Sequence, residues 1–132
     1  MREAGGTLQG PIMPPAIQDF VSSVAARGYA VWLIGSQVNR RGAKPSDWDL
    51  LIFGDEALLQ ELSRMEVVSG CDPMVVYDGD RFRKPWSERD SHADSGSLTN
   101  WAWNENSERT ATYKGTKWPN DWGEQKQAIR VA

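Results

Sequence analysis

A chain of 132 residues with 39% hydrophobic side chains is the size of one domain and carries enough apolar mass for one core. Its formal net charge of −3 argues against a protein that coats nucleic acid non-specifically, while leaving room for a local basic patch. The longest apolar run, Tyr29 to Ile34, is strand-sized and far short of a membrane span; the opening MREAGGTLQGPIMPP lacks the apolar stretch of a secretory signal; and a lone Cys71 forbids an internal disulfide and fits a reducing, cytoplasmic compartment.

Residues 1–13 are rich in Gly and Pro without periodicity and read as a flexible lead-in, leaving 14–132 as a single domain. Pro14 and Pro15 stand where a helix can begin, because a missing N–H costs nothing in the first turn. Ile17, Phe20, Val21, Val24 and Ala25 then recur at spacings of three and four, the inner stripe of a helix that Gly28 ends. Tyr29 to Ile34 reads as a buried strand stopped by Gly35-Ser36. Gln37 to Ser46 reads as a brief helical turn and a polar loop, and Asp47 to Phe53 as a second strand. Asp55 can cap a helix from Glu56 to Met65, with Leu58, Leu62 and Met65 inward and Leu59 beside them. Pro73 to Tyr77 predicts a third strand, led in by Gly70-Cys71-Asp72 and closed by the turn formers Asp78-Gly79-Asp80. Arg81 to Ser97 looks irregular. Trp101 and Trp103 alternate as on one face of a strand, and with Thr110 to Lys114 they suggest a C-terminal hairpin turning at Asn104 to Ser107. The tail from Trp118 carries no clear signal. The expected architecture is an α/β domain: a small mixed β-sheet, helices on one side, and a β-rich C-terminal extension.

Chemistry is concentrated around two of these strand ends. A Gly at the end of a buried strand lets backbone approach a ligand closely, and a helical turn starting there offers N–H groups to phosphate oxygens, with the Ser36 hydroxyl as a further donor. A Gly-Ser pair also ends many strands merely to turn the chain. Asp47 and Asp49 are two apart, so on a strand both carboxylates project to one face, where they repel each other unless a cation lies between them. Mg²⁺ suits such a pair, being a hard ion that takes one or two carboxylates plus substrate phosphates. The plainer reading makes Asp47 a loop cap and Asp49 a solvated strand end. Against it, Asp49 runs straight into Leu50-Leu51-Ile52-Phe53 and so stands at the mouth of a buried strand.

The stretch LIGSQVNRRGAKPSDWDLLIFGD resembles the core motif of the nucleotidyltransferase superfamily that includes DNA polymerase β: a hydrophobic strand, Gly-Ser, a polar loop, then Asp-hydrophobic-Asp-hydrophobic. Gly35, Ser36, Asp47, Trp48, Asp49 and Leu50 match in type and order, and the resemblance extends from Tyr29 to Tyr77. Most similar are the minimal nucleotidyltransferases, small prokaryotic proteins often encoded beside a helical toxin partner. The resemblance implies the nucleotidyltransferase fold and a third carboxylate on the following strand. Asp72 matches that position best, although Pro73 beside it departs from the pattern and leaves Asp78 or Asp80 as substitutes. It further implies two Mg²⁺ ions (or Mn²⁺) held by the catalytic carboxylates Asp47, Asp49 and Asp72. Gly35 and Ser36 would then hold the β- and γ-phosphates of an NTP such as ATP.

Arg40, Arg41 and Lys44 in the intervening loop are candidates to neutralise those phosphates, or simply residues of a solvated surface loop. Arg81, Arg83 and Lys84 can be read as contacts for an acceptor or as soluble surface. Trp101 and Trp103 suit base stacking but equally a core or a partner-facing surface. His92 is isolated from any second metal-ligating side chain and reads as a surface residue, and Cys71 as a small buried hydrophobe. Two functions therefore stand side by side. One is transfer of a nucleoside monophosphate to a protein, RNA or small-molecule hydroxyl. The other is an antitoxin-like or regulatory binding module, with little or no catalysis, whose Trp-rich end docks a toxin-like partner protein.

Overall fold

The computed structural model describes residues 12–39, 47–86, 95–114 and 125–132, apart from the side chain of Ser36. Within them two helices pack on an eight-stranded sheet that curls into a half-barrel. Residues 1–11 of the expected flexible lead-in (1–13), and Arg40, Arg41, Lys44, Arg89, His92, Trp118 and Trp122, lie outside the described residues, whereas Met13 at its end is buried in the core.

Helix α1 spans Pro15–Ala25, with Pro14 as its cap residue and Ile17, Phe20, Val21 and Val24 buried. It stops where Gly28, at φ 96°, turns its N–H back to the Ala25 carbonyl at 2.9 Å. Strand β1 (Ala30–Ile34) pairs antiparallel with β2 (Trp48–Phe53). Helix α2 (Glu56–Arg64) then crosses over so that β3 (Cys71–Tyr77) lies parallel to β2. The Asp55 carboxylate accepts the Leu58 N–H at 2.8 Å, the expected cap. Met65 departs from expectation: the backbone is already extended there (φ −91°, ψ 164°), so its side chain leaves the stripe of Leu58 and Leu62 and is 40% exposed.

Three further corrections follow from pairing. First, β3 begins at Cys71, so Asp72 is within the strand and Pro73 is its third residue. Strand β4 (Arg81–Arg83) reaches only Val75 to Tyr77, which leaves Pro73 without a described neighbour on that side, a setting that tolerates a missing N–H. Second, the region expected to be irregular contains β4 and β5 (Ser95–Ser97), short strands whose order comes from their partners. Third, Trp101 lies in a turn, its N–H on the Leu98 carbonyl at 3.1 Å, and Trp103 precedes the strand proper. The C-terminal hairpin is formed instead by β6 (Asn104–Glu105) and β7 (Thr110–Tyr113).

The silent tail supplies β8 (Lys126–Arg130), which inserts between β1 and β7. The strand order is β5-β4-β3-β2-β1-β8-β7-β6, so the β-rich end continues the central sheet and is not appended to it. Alternation along the strands separates two cores. Val31, Leu33, Leu50, Ile52 and Val75 face both helices. Trp32, Ile34, Leu51, Met74, Val76 and Phe82 face the other way, onto Leu98, Ala111, Tyr113 and Ala128. Trp101 closes this second core against Phe82 and Tyr113 (ring centroids 4.6 and 5.2 Å), and Trp103 against Trp32 (5.2 Å). No described helix is long and apolar enough to cross a membrane.

Candidate functional site

Gly35, Asp49 and Asp72 meet at one end of β1, β2 and β3, on the face without helices. Trp48, Leu50 and Ile52 point toward the helices, so Asp49 shares its face with Leu51. On β3, Cys71 and Val75 point to the helices, so Asp72 shares its face with Met74 and Val76. The parallel register sets Asp49 directly beside Asp72, one strand spacing away, about 4.8 Å between backbones. Adjacent carboxylates at that spacing repel, and the fold supplies a cation: Lys84 Nζ lies 2.9 Å from Asp72 Oδ2, with the two side chains 10% and 22% exposed.

Gly35 lies against the same pair. It opens the 3-10 turn Gly35–Gln37 at φ 76°, directly after Ile34, the β1 residue that pairs with Asp49. A Cβ on Gly35 would overlap Asp49 Oδ2 and stand 3.0 Å from its Cγ. Glycine therefore serves here to seat the Asp49 carboxylate against the chain. The Gly35 N–H is also committed, donating to Tyr113 Oη at 3.0 Å. Asn39 fastens the turn further: its Nδ2 donates to the Gly35 and Gln127 carbonyls, each at 3.0 Å, and its Oδ1 accepts the Gln127 N–H at 2.7 Å. The turn expected to offer phosphate donors is thus clamped from β7 and β8, and the Gly35 N–H points into the protein. The Ser36 hydroxyl, Arg40, Arg41 and Lys44 fall outside what is described.

Asp47 is exposed and lies just before β2. Together with Asp49 and Asp72 it acts on Cys71, whose thiol is pushed up to about 12, first by burial and then by Asp72, Asp49 and Asp47. The three carboxylates do not close into one coordination group: no set of three or more His, Cys, Asp or Glu among the described residues is placed to hold a metal ion. What the structure brings together is the Asp49–Asp72 pair. Asp78 and Asp80 lie at the far end of β3, roughly 20 Å along the strand from Asp72. Asp80 is engaged there, accepting from Thr99 N–H and Oγ1 at 2.9 and 2.8 Å. Tyr113 is pushed up to about 12 by burial, opposed by its bond with the Gly35 N–H and reinforced by the Asp49 charge.

Lys84, Tyr113, Asn39 and Gln127 form a supporting ring that motif and spacing do not reveal. Only Lys84 leaves a trace in the sequence, as one of a run of cations after β3. A cavity of about 390 Å³ opens on the helical face between α2 and β4, lined by residues including Glu56, Gln60, Tyr77, Arg83 and Lys84; Lys84 thus borders it as well as meeting Asp72, and neither carboxylate of the pair lines it. Comparison with protein-family models, with curated proteins and with solved structures finds no match for this chain.

Proposed function

We propose that the chain is a minimal nucleotidyltransferase of the DNA polymerase β superfamily, moving a nucleoside monophosphate from an NTP to an acceptor hydroxyl. One observation carries the reading: Asp49, seated against Gly35, stands beside Asp72 on parallel strands. That is the relation expected when a carboxylate of the Asp-X-Asp motif and a third carboxylate on the next strand serve one site. The donor set suits a hard divalent cation, since two carboxylates on one face leave the remaining positions to water and phosphate oxygens. Asp49 and Asp72 would hold the ion; Asp47 is an exposed residue just before β2. When bound, the ion supplies charge neutralisation on the triphosphate and polarisation of the phosphoryl oxygens. The protein's own part is to fix the carboxylates on a rigid sheet and keep the Gly35 turn in place through Tyr113 and Asn39.

A second reading, a nucleotidyltransferase-like binding module with little turnover, is favoured by one specific contact: Lys84 already neutralises Asp72. Incubation with Mg²⁺ and each α-labelled NTP, alone and with lysate, separates the two. The enzyme transfers label, and Asp49→Asn abolishes the transfer. Absence of transfer with every NTP, together with Mg²⁺ affinity unchanged in an Asp49→Asn/Asp72→Asn variant, refutes the site.

A further inference from the structure

We propose that Lys84 is an exchangeable counter-ion, holding Asp72 until metal and nucleotide arrive and then passing to the phosphates. The inference rests on the reading of Asp49 and Asp72 as the metal-holding pair and adds a regulator of that pair. Phe82 on β4 pairs with Val76 on the helix-free face, and Lys84 follows directly after Arg83, the last residue of that strand, which pairs with Val75. Its side chain reaches Asp72 on β3, with Nζ 2.9 Å from Oδ2, and that side chain is only 10% exposed. A lysine so placed does what a bound cation would do: it offsets the repulsion of two adjacent carboxylates in a part-buried setting.

Two consequences oppose each other. A divalent cation on its own must displace the Lys84 contact and leave the ammonium beside a second positive charge, so Lys84 weakens binding of the bare metal. A metal that arrives with a triphosphate brings new anionic oxygens for that ammonium, and the lysine, a flexible point-charge phosphate ligand, then strengthens binding. Lys84 thereby couples the two ligands, disfavouring metal alone and favouring the metal–nucleotide complex.

The test measures Mn²⁺ binding by electron paramagnetic resonance for the wild type, Lys84→Met, Lys84→Arg, Asp49→Asn and Asp72→Asn, with and without ATP. Near-ultraviolet circular dichroism of the tryptophans checks the fold of each variant. Lys84→Met is expected to bind Mn²⁺ alone about tenfold more tightly and Mn²⁺ with ATP at least about threefold more weakly, a reversal of sign. Lys84→Arg, which keeps the charge, should lie within about twofold of wild type in both. The proposal is overturned if Lys84→Met moves both affinities in the same direction, or neither. If Asp49→Asn and Asp72→Asn bind Mn²⁺ as the wild type does, the underlying site reading fails instead. If those two variants lose binding while Lys84→Met behaves as wild type, only the counter-ion role fails.

Discussion

Replacing Gly35 by alanine tests the closest contact in the site. The residue sits at φ 76°, where a Cβ meets its own backbone, a cost of about 1–2 kcal/mol. The new methyl would also overlap Asp49 Oδ2 and lie 3.0 Å from Cγ and 3.1 Å from Cβ, so the carboxylate must swing away from its seat. Adding about 1–2 kcal/mol for that displacement gives about 2–4 kcal/mol in all. Gly28 provides the control: its φ is 96° but nothing lies within 4 Å of where a methyl would stand, so Gly28→Ala pays only the backbone term. In a Gly35→Ala/Asp49→Ala double variant the overlapping oxygen is gone, and part of the loss should return as a coupling of about 1 kcal/mol. Urea denaturation of the four variants and wild type measures each value. The reasoning is refuted if Gly35→Ala costs no more than Gly28→Ala, or if the double variant shows no coupling.

Cys71 is 8% exposed with its thiol pushed up to about 12, so a thiol reagent at pH 8 should leave the folded chain unmodified and react fully in urea; rapid native reaction would contradict the burial. Tyr113 (ordinary value 10.0) and Cys71 (9.0) both hold their protons more tightly when folded, each to about 12. Their contribution to stability is complete below about pH 9 and is lost as pH rises toward 12, because the unfolded chain releases these protons first. Urea midpoints from pH 8 to 11 should therefore fall, and Tyr113→Phe should flatten the fall above pH 10. That variant also leaves the Gly35 N–H without its partner, a loss of about 1–2 kcal/mol at pH 8. Removing residues 126–132 deletes a strand that pairs with both β1 and β7, and should abolish cooperative unfolding; a truncated chain that melts like the full one would contradict the central place of β8.

The helices and the first three strands were legible because their signals are local. Pro14-Pro15, Gly28 and the Asp55 cap mark boundaries in a few residues, and the apolar spacing of Ile17 to Val24 or Leu58 to Leu62 states which face is inward. The later strands carry no such pattern. Arg81–Arg83 presents one inward side chain, Phe82, between two charges. Ser95–Ser97 is a strand because Phe82 packs on Gly96, whose Cβ would stand 2.7 Å from the ring. In β8 only Ala128 is buried, so its alternation is invisible without β1 and β7 on either side. Trp101 and Trp103 show the converse. Their spacing matched a strand, yet a turn brings both rings onto the second core.

The site divides along the same line. Gly35, Asp49 and Asp72 could be picked out because each marks the end or the entry of a strand that was itself readable. Their adjacency then followed once β2 and β3 proved parallel and in register. Lys84 reaches Asp72 only through the β3–β4 hairpin register, and Tyr113 reaches Gly35 only because β8 closes the sheet between β1 and β7. Such long-range contacts leave no trace in spacing.

The most direct test of the central claim is calorimetric titration of Mg²⁺·NTP into the wild type, Asp49→Asn and Asp72→Asn. The account predicts saturable binding by the wild type to at least one NTP, dependent on Mg²⁺ and weakened at least about tenfold by either substitution. Binding that survives both substitutions, or that is the same without Mg²⁺, would contradict a site built on this carboxylate pair.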